Sequence, residues 1–198
     1  MIKAAGREEL VVVFPYRLAA YDPKTGKQLW LCKGIGEAVY STPLWGDGLL
    51  MARNSGPMGG SAIAVKPGGS GDVTESQRVW RLERVKSSIG SGVIYDGHLY
   101  CLDQTSLLEC FDVKTGNKLW EQRLKGPGSK NTSWSSALLA EGRLYLPNQA
   151  GDVFVVRASP TFELLATNSV GESTNASLAA SDGELFLRTD KNLWCFSK

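Results

Sequence analysis

The side chains that most often do chemistry are few and scattered in this chain of 198 residues. His98 is the sole histidine, which excludes a His-rich metal site and weakens any nucleophile–His–acid triad. It occupies the variable position of an Asp-Gly-x-Leu turn that Arg143 and Glu184 hold elsewhere, and is read as a solvated turn residue. The four cysteines, Cys32, Cys101, Cys110 and Cys195, form neither a CxxC pair nor a zinc spacing. Cys101 and Cys110 could face each other across one hairpin as a disulfide, and the repeat described below offers another reading of Cys110. Many acids sit in Asp-Gly or Glu-Gly pairs, which turns require, so they are discounted as acid–base catalysts. No Gly-rich segment has a P-loop or dinucleotide pattern, and none leads into a helix. Asn131-Thr132-Ser133 and Asn175-Ala176-Ser177 match the glycosylation sequon. Nothing in these residues requires an enzyme.

Composition narrows the classes further. Basic residues number 22 against 20 acidic ones, for a net charge of +2. No basic stripe of the kind nucleic-acid binding needs is present. No run approaches the roughly 18 consecutive apolar residues of a membrane span. The stretch from Met1 to Glu9 has no signal-peptide h-region, which is compatible with the cytoplasm or with a leader outside this sequence. An apolar content of 42% is enough to bury a substantial core.

The elements that would position these residues follow from an internal repeat. Tyr21-Asp22-Pro23-Lys24-Thr25-Gly26-Lys27-Gln28-Leu29-Trp30 returns as Phe111-Asp112-Val113-Lys114-Thr115-Gly116-Asn117-Lys118-Leu119-Trp120, ninety residues later. Each copy reads as a strand, a tight Thr-Gly turn and a second strand ending in a large aromatic. Aligned on the strand before this turn, Ala20, Ala64, Cys110, Val155 and Cys195 stand 44, 46, 45 and 40 residues apart. Small apolar residues fill the column, so Cys110 and Cys195 read as core residues in place of Ala or Val. Upstream, Asp47-Gly48, Asp96-Gly97, Glu141-Gly142 and Asp182-Gly183 each precede an apolar strand, and Arg7–Val12 is a looser first version.

One repeat is therefore strand A, acidic-Gly turn, strand B, hairpin, strand C, Thr-Gly turn and strand D. No helical periodicity is sustained. Four short antiparallel strands per 45 residues predict an all-β propeller of four-stranded blades. The repeats run over 1–33, 34–83, 84–128, 129–170 and 171–198, in one domain or part of one. The fifth lacks strand D, so the array is expected either to close as five blades or to belong to a larger ring of seven or eight. Open blade edges would favour self-association. The second repeat carries an insertion at 67–76 and a long connection at 53–60, both expected to be mobile surface loops.

Trp30, Trp80 and Trp120 end strand D, with Leu165 in the fourth copy. A large ring at a fixed place fills the wedge between neighbouring blades, and Trp120→Ala is expected to cost about 3–5 kcal/mol. Trp45 and Trp194 fall within strand patterns and are expected in the core. Trp134 lies outside the column, in a connection, where it would be exposed.

The Asp-x-Lys-Thr-Gly-Lys-x-Leu-Trp signature at 22–30 and 112–120 resembles the repeat of quinoprotein-type (PQQ-like) β-propellers, and Asp-Gly-x-Leu-Tyr at 96–100 fits the same repeat. The resemblance covers essentially the whole chain, and it favours the BamB-like non-catalytic branch. It implies a periplasmic or secreted setting. In the enzymes of this superfamily, adjacent cysteines form a disulfide over the quinone beside Ca²⁺ and an Asp base. No two cysteines are adjacent here, and no set of six to eight oxygen ligands can be mapped for calcium, so no catalytic residue carries over and neither cofactor is expected. The first reading is a protein-binding or scaffolding module. Its contact face, on the D–A and B–C connections, would include Asn54, Gln104, Asn131, Trp134 and Gln149. The alternatives are a fragment of a PQQ-dependent oxidoreductase and a sensor propeller within a larger multidomain enzyme.

Overall fold

The computed structural model describes residues 1–56 and 59–197. Pro57 and Met58, within the connection expected to be mobile, and Lys198 lie outside the described residues. The first sheet contains β1 (Ile2–Ala4), β2 (Arg7–Phe14), β3 (Arg17–Tyr21) and β4 (Gln28–Lys33). The second contains β5 (Leu44–Gly46), β6 (Leu49–Arg53) and β7 (Gly60–Val65); after an excursion through β8 (Gly71–Asp72) and α1 (Thr74–Gln77), it is completed by β9 (Arg78–Val85). The third runs β10 (Val93–Tyr95), β11 (His98–Leu102), β12 (Leu107–Asp112), β13 (Lys118–Arg123). The fourth runs β14 (Leu138–Ala140), β15 (Arg143–Pro147), β16 (Asp152–Arg157), β17 (Leu164–Ser169). The fifth has three strands, β18 (Ala179–Ser181), β19 (Glu184–Arg188) and β20 (Leu193–Phe196). Each sheet follows chain order, so every repeat is an antiparallel blade.

The turns explain the recurring letters. Asp47, Asp96, Glu141 and Asp182 have φ between 47° and 51°, and the glycine after each has φ between 68° and 81°. Two successive positive φ values make the turn whose twist matches its flanking strands. Ala5 and Gly6 do the same in the first blade, at 48° and 75°. At the Thr-Gly turns, Asp22 Oδ1 accepts from the amides of Lys24 (2.8 Å) and Thr25 (3.2 Å), and Asp112 Oδ1 accepts from that of Thr115 (2.8 Å). These side-chain acceptors hold the turn closed.

A bulge in strand D sets the aromatic column. Ala20 faces Trp30, Ala64 faces Trp80 and Cys110 faces Trp120, with a register shift at the next residue in each case. The fourth blade corrects the sequence alignment. Val155 faces Ala166, and Leu165 falls in the bulge. The fourth hairpin is one residue longer than the first and third, so counting ten residues from Val155 stops one short.

The chain divides into two compact units, Met1–Ser87 with the hairpin tip Asp112–Asn117, and Ser88–Phe111 with Lys118 onward. In the first, Leu18, Trp30, Leu50, Ile63 and Val65 lead one buried cluster. Trp30 donates Nε1–H to Glu9 Oε2 at 2.8 Å, and the fully buried Glu9 also accepts from Arg7 Nε at 2.9 Å. Trp80 donates to the carbonyl of Val113 at 2.8 Å, and its ring lies so close to Gly116 that a Cβ there would meet it at 2.9 Å. The expected mobile insertion is instead built in: β8 pairs parallel with β4, and Val73 is buried in the cluster. Asp72 accepts from Thr74 Oγ1 (2.6 Å) and pairs with Lys33 (2.9 Å). In the second unit, Tyr100, Leu108, Leu144, Phe154 and Val156 form the main cluster. Trp120 is half-buried against Tyr100 and, edge-on, against Phe162, with Nε1–H donated to the carbonyl of Ser159 at 3.4 Å.

Edge position overturns two further expectations. Trp45 is 44% exposed because β5 is an edge strand. Cys195 is exposed because β20 has no strand beyond it in its sheet. Trp194 does pack partly against the small cluster of Val153, Leu178 and Leu187. Cys110 is fully buried, and no disulfide joins it to the buried Cys101. His98 is the first residue of β11 rather than a solvated turn residue; it is half-buried against Tyr100, with ring centroids 6.4 Å apart.

Candidate protein-binding face

The predicted contact residues divide between the units. Asn54 directly follows β6 in the first unit, and its Oδ1 accepts from the amides of Gly36 (2.7 Å) and Ser61 (2.9 Å) and from Ser61 Oγ (2.7 Å). Its Nδ2 donates to the carbonyl of Ser55 at 2.8 Å, and the residue is buried. Asn54 therefore braces a turn and offers no partner a free polar edge, contrary to its expected role.

Gln104, Asn131, Trp134 and Gln149 all lie in the second unit, on connections that brace one another. The carbonyl of Gln104 accepts from the amide of Ser133 at 3.1 Å. Asn131 Oδ1 accepts from the amide of Gly126 at 3.3 Å. Gln149 N–H donates to the carbonyl of Thr132 at 2.7 Å, Thr132 Oγ1 donates to Gln149 Oε1, and Gln149 Nε2 donates to Asn175 Oδ1 at 2.5 Å. A chain of hydrogen bonds thus ties four connections together. Trp134 stands on the same 130–134 segment with 46% of its surface exposed.

Beneath the loops lie anchors whose bracing role sequence reading missed, Asn148 and Ser133 having been expected on the contact face itself. Asn148 Oδ1 accepts from the amides of Ala150 (3.0 Å) and Asp152 (2.9 Å). Fully buried Asp152 accepts through Oδ2 from Gly128 N–H (3.1 Å) and Asn148 Nδ2 (3.0 Å). Ser133 and Ser135 both donate to the carbonyl of Pro147, at 2.8 and 2.7 Å. Glu172 takes hydrogen bonds from Thr189 Oγ1 (2.7 Å) and Asn192 Nδ2 (2.8 Å), and Asn192 first, then Thr189, hold its carboxyl below the usual range. The signal available in the sequence was the recurrence of Asn or Asp where strand B ends, at Asn54, Asp103 and Asn148. These buried hydrogen bonds hold the connections above them in place.

No two cysteines are adjacent in the sequence, and among the described residues no three His, Cys, Asp or Glu side chains converge as metal ligands.

Antiparallel blades on one repeat, wedged by strand-D tryptophans, define a β-propeller module of the PQQ-like kind. Residues 17–197 match the family described as outer membrane protein assembly factor BamB, and the chain belongs to that family. The crystal structure of BamB from Moraxella catarrhalis is similar over all of this chain, at 11% identity and a TM-score of 0.73. The chain spans 59% of that BamB chain. Two computationally designed proteins are also similar. Ika8 matches 100% of this chain and 57% of its own (TM-score 0.70, 11% identity), and Ika4 matches 87% and 99% (0.63, 11%). No curated protein sequence matches this one. Among the described residues, no helix is long and apolar enough to cross a membrane.

Proposed function

We propose that this chain is a non-catalytic binding module that docks a protein through the loops of its second unit, with Trp134 as the anchor. The observation that carries this reading is Trp134 itself, 46% exposed on a segment whose neighbours are locked by hydrogen bonds. A large aromatic held on a stiff loop loses little freedom on binding, which is why Trp dominates interface energies. The name of the BamB relatives, an assembly factor for outer membrane proteins, supports a protein as the partner. The module uses neither quinone nor calcium.

A photo-crosslinking amino acid at Lys130 tests the docking face in the producing cell. A single dominant protein adduct should form, and Trp134→Ala should reduce it about tenfold or more. Trp45→Ala, which removes an equally exposed ring in the other unit, should leave it unchanged. Equal loss with both variants would overturn the assignment to this face. Bound PQQ chromophore with dye reduction, after titration with PQQ and Ca²⁺, would overturn the non-catalytic reading.

A further inference from the structure

Within the second unit, the junction of the third and fourth blades is filled by aromatic side chains, and the equivalent place beside the fifth blade is not. Tyr95 ends β10 opposite His98, and its hydroxyl lies within 3.6 Å of where a Cβ on Gly142, in the next blade's turn, would stand. Trp120 lies between Tyr100 of its own blade and Ser159 and Phe162 of the next. One repeat later, the position of Tyr95 is Ala140, opposite Arg143, and the position of Trp120 is Ala166, opposite Val155. Two large rings are replaced by two methyl groups.

A cleft of about 580 Å³ opens at the first of these positions, beside Ala140 and the Asp182-Gly183 turn of the next blade. Ala140, Tyr145, Leu185 and Phe196 supply its apolar wall. Its rim carries three carboxylates, Glu141, Asp182 and Glu184, against one guanidinium, Arg143, which is paired with Glu141 at 3.3 Å. The volume lies in the range of small-molecule sites. Aromatic walls stack on flat rings, and an acidic rim beside them favours a cation, which the faces of Tyr and Phe also attract.

We propose that this cleft binds a planar aromatic ring carrying a cationic amine, an arylalkylamine. The ring takes the place that Tyr95 fills one junction earlier, and the amine lies against Glu184 and Asp182. This site is separate from the Trp134 face and does not depend on its role.

Tryptamine tests the proposal, because it joins a planar aromatic ring to an ammonium; indole-3-acetate keeps the ring and reverses the charge. Amide shifts of the ¹⁵N-labelled chain should move at Gly183, Leu185 and Phe196 with tryptamine, and at least about tenfold more indole-3-acetate should be needed for the same shifts. Ala140→Tyr, which restores the side chain of the earlier junction, should raise the melting temperature and weaken tryptamine binding about tenfold or more. Glu184→Gln, an isosteric change at the surface, should weaken it about threefold and make it less sensitive to salt. Equal binding of the two indoles, or tryptamine binding unchanged in both variants, would overturn the proposal. A melting temperature raised by Ala140→Tyr with no tryptamine binding to the unsubstituted chain would also overturn it, leaving a packing defect and no site.

Discussion

Trp30 and Trp120 close the two copies of one signature, and each faces a small residue on the strand beside it, Ala20 and Cys110. Trp30 is fully buried, with β8 paired along its strand, Val73 in the same cluster and a buried carboxylate on its N–H. Trp120 keeps part of its surface in solvent and rests on Tyr100 and the edge of Phe162. The hairpins are alike because their turns are local. The surroundings differ because the covering segments differ: an insertion of the second repeat covers Trp30, while an ordinary C–D hairpin reaches Trp120. A repeat position therefore determines which face a ring is on, and the neighbouring connection determines how far water is removed from it.

The sharpest test of this contrast is truncation. Trp30→Ala should destabilise by about 3–5 kcal/mol, and Trp120→Ala by about 2–3 kcal/mol because less of its surface is withdrawn from water. The upper part of the range expected from sequence thus passes from Trp120 to Trp30. Urea melts compare them directly, and equal losses would break the contrast. Glu9→Ala should follow at about 2–4 kcal/mol, since it leaves the Trp30 N–H buried without an acceptor and Arg7 without its ion pair. No acid takes this place beside Trp120, whose N–H donates to a backbone carbonyl.

Thiol labelling sharpens the comparison of core with edge. Burial pushes the Cys32 thiol up to about 11, and Cys101 and Cys110 are also buried. Cys195 is exposed, though residual desolvation and then the Glu184 carboxylate raise its pKa as well. At pH 8 one equivalent of a disulfide reagent should react slowly with the folded chain, and three more only on unfolding. Fast reaction of a second thiol would show that the core opens readily.

The smallest effect concerns the insertion that covers Trp30. The Thr74 hydroxyl, then Lys33, lower Asp72 from 3.8 to about 2. A depressed carboxyl pKa gives stability that is fully present above the unfolded value and is lost as pH falls through the folded one. The loss should fall between about pH 4 and 2, and Asp72→Asn should flatten that part of the profile. Thermal melts across the acid range would detect it, and an unaltered slope in the variant would show that the β8 segment has no part in acid stability.

Much of the architecture was legible from Asp-Gly and Thr-Gly pairs, alternating apolar residues and spacings near 45, because a hairpin is specified by residues close in sequence. The candidate face was legible only in part. Gln104, Asn131, Trp134 and Gln149 do share one unit, yet Asn54 is consumed in bracing its own turn. The buried Asp152 and Glu9, which hold connections and a ring in place, look like ordinary surface acids in one dimension.

By itself the sequence determined the repeat, its strands, the turn types and the alternation of buried and exposed positions, all consequences of local sterics and of a period of two along a strand. Tertiary structure alone decided which positions lie on an edge, leaving Trp45 and Cys195 exposed, and how a hairpin longer by one residue places Ala166 rather than Leu165 opposite Val155. It also decided that the Gly-rich insertion pairs with β4 instead of moving freely. Those outcomes depend on contacts between residues far apart in the chain, and solvent exclusion is a property of the packed neighbours rather than of the residue they cover.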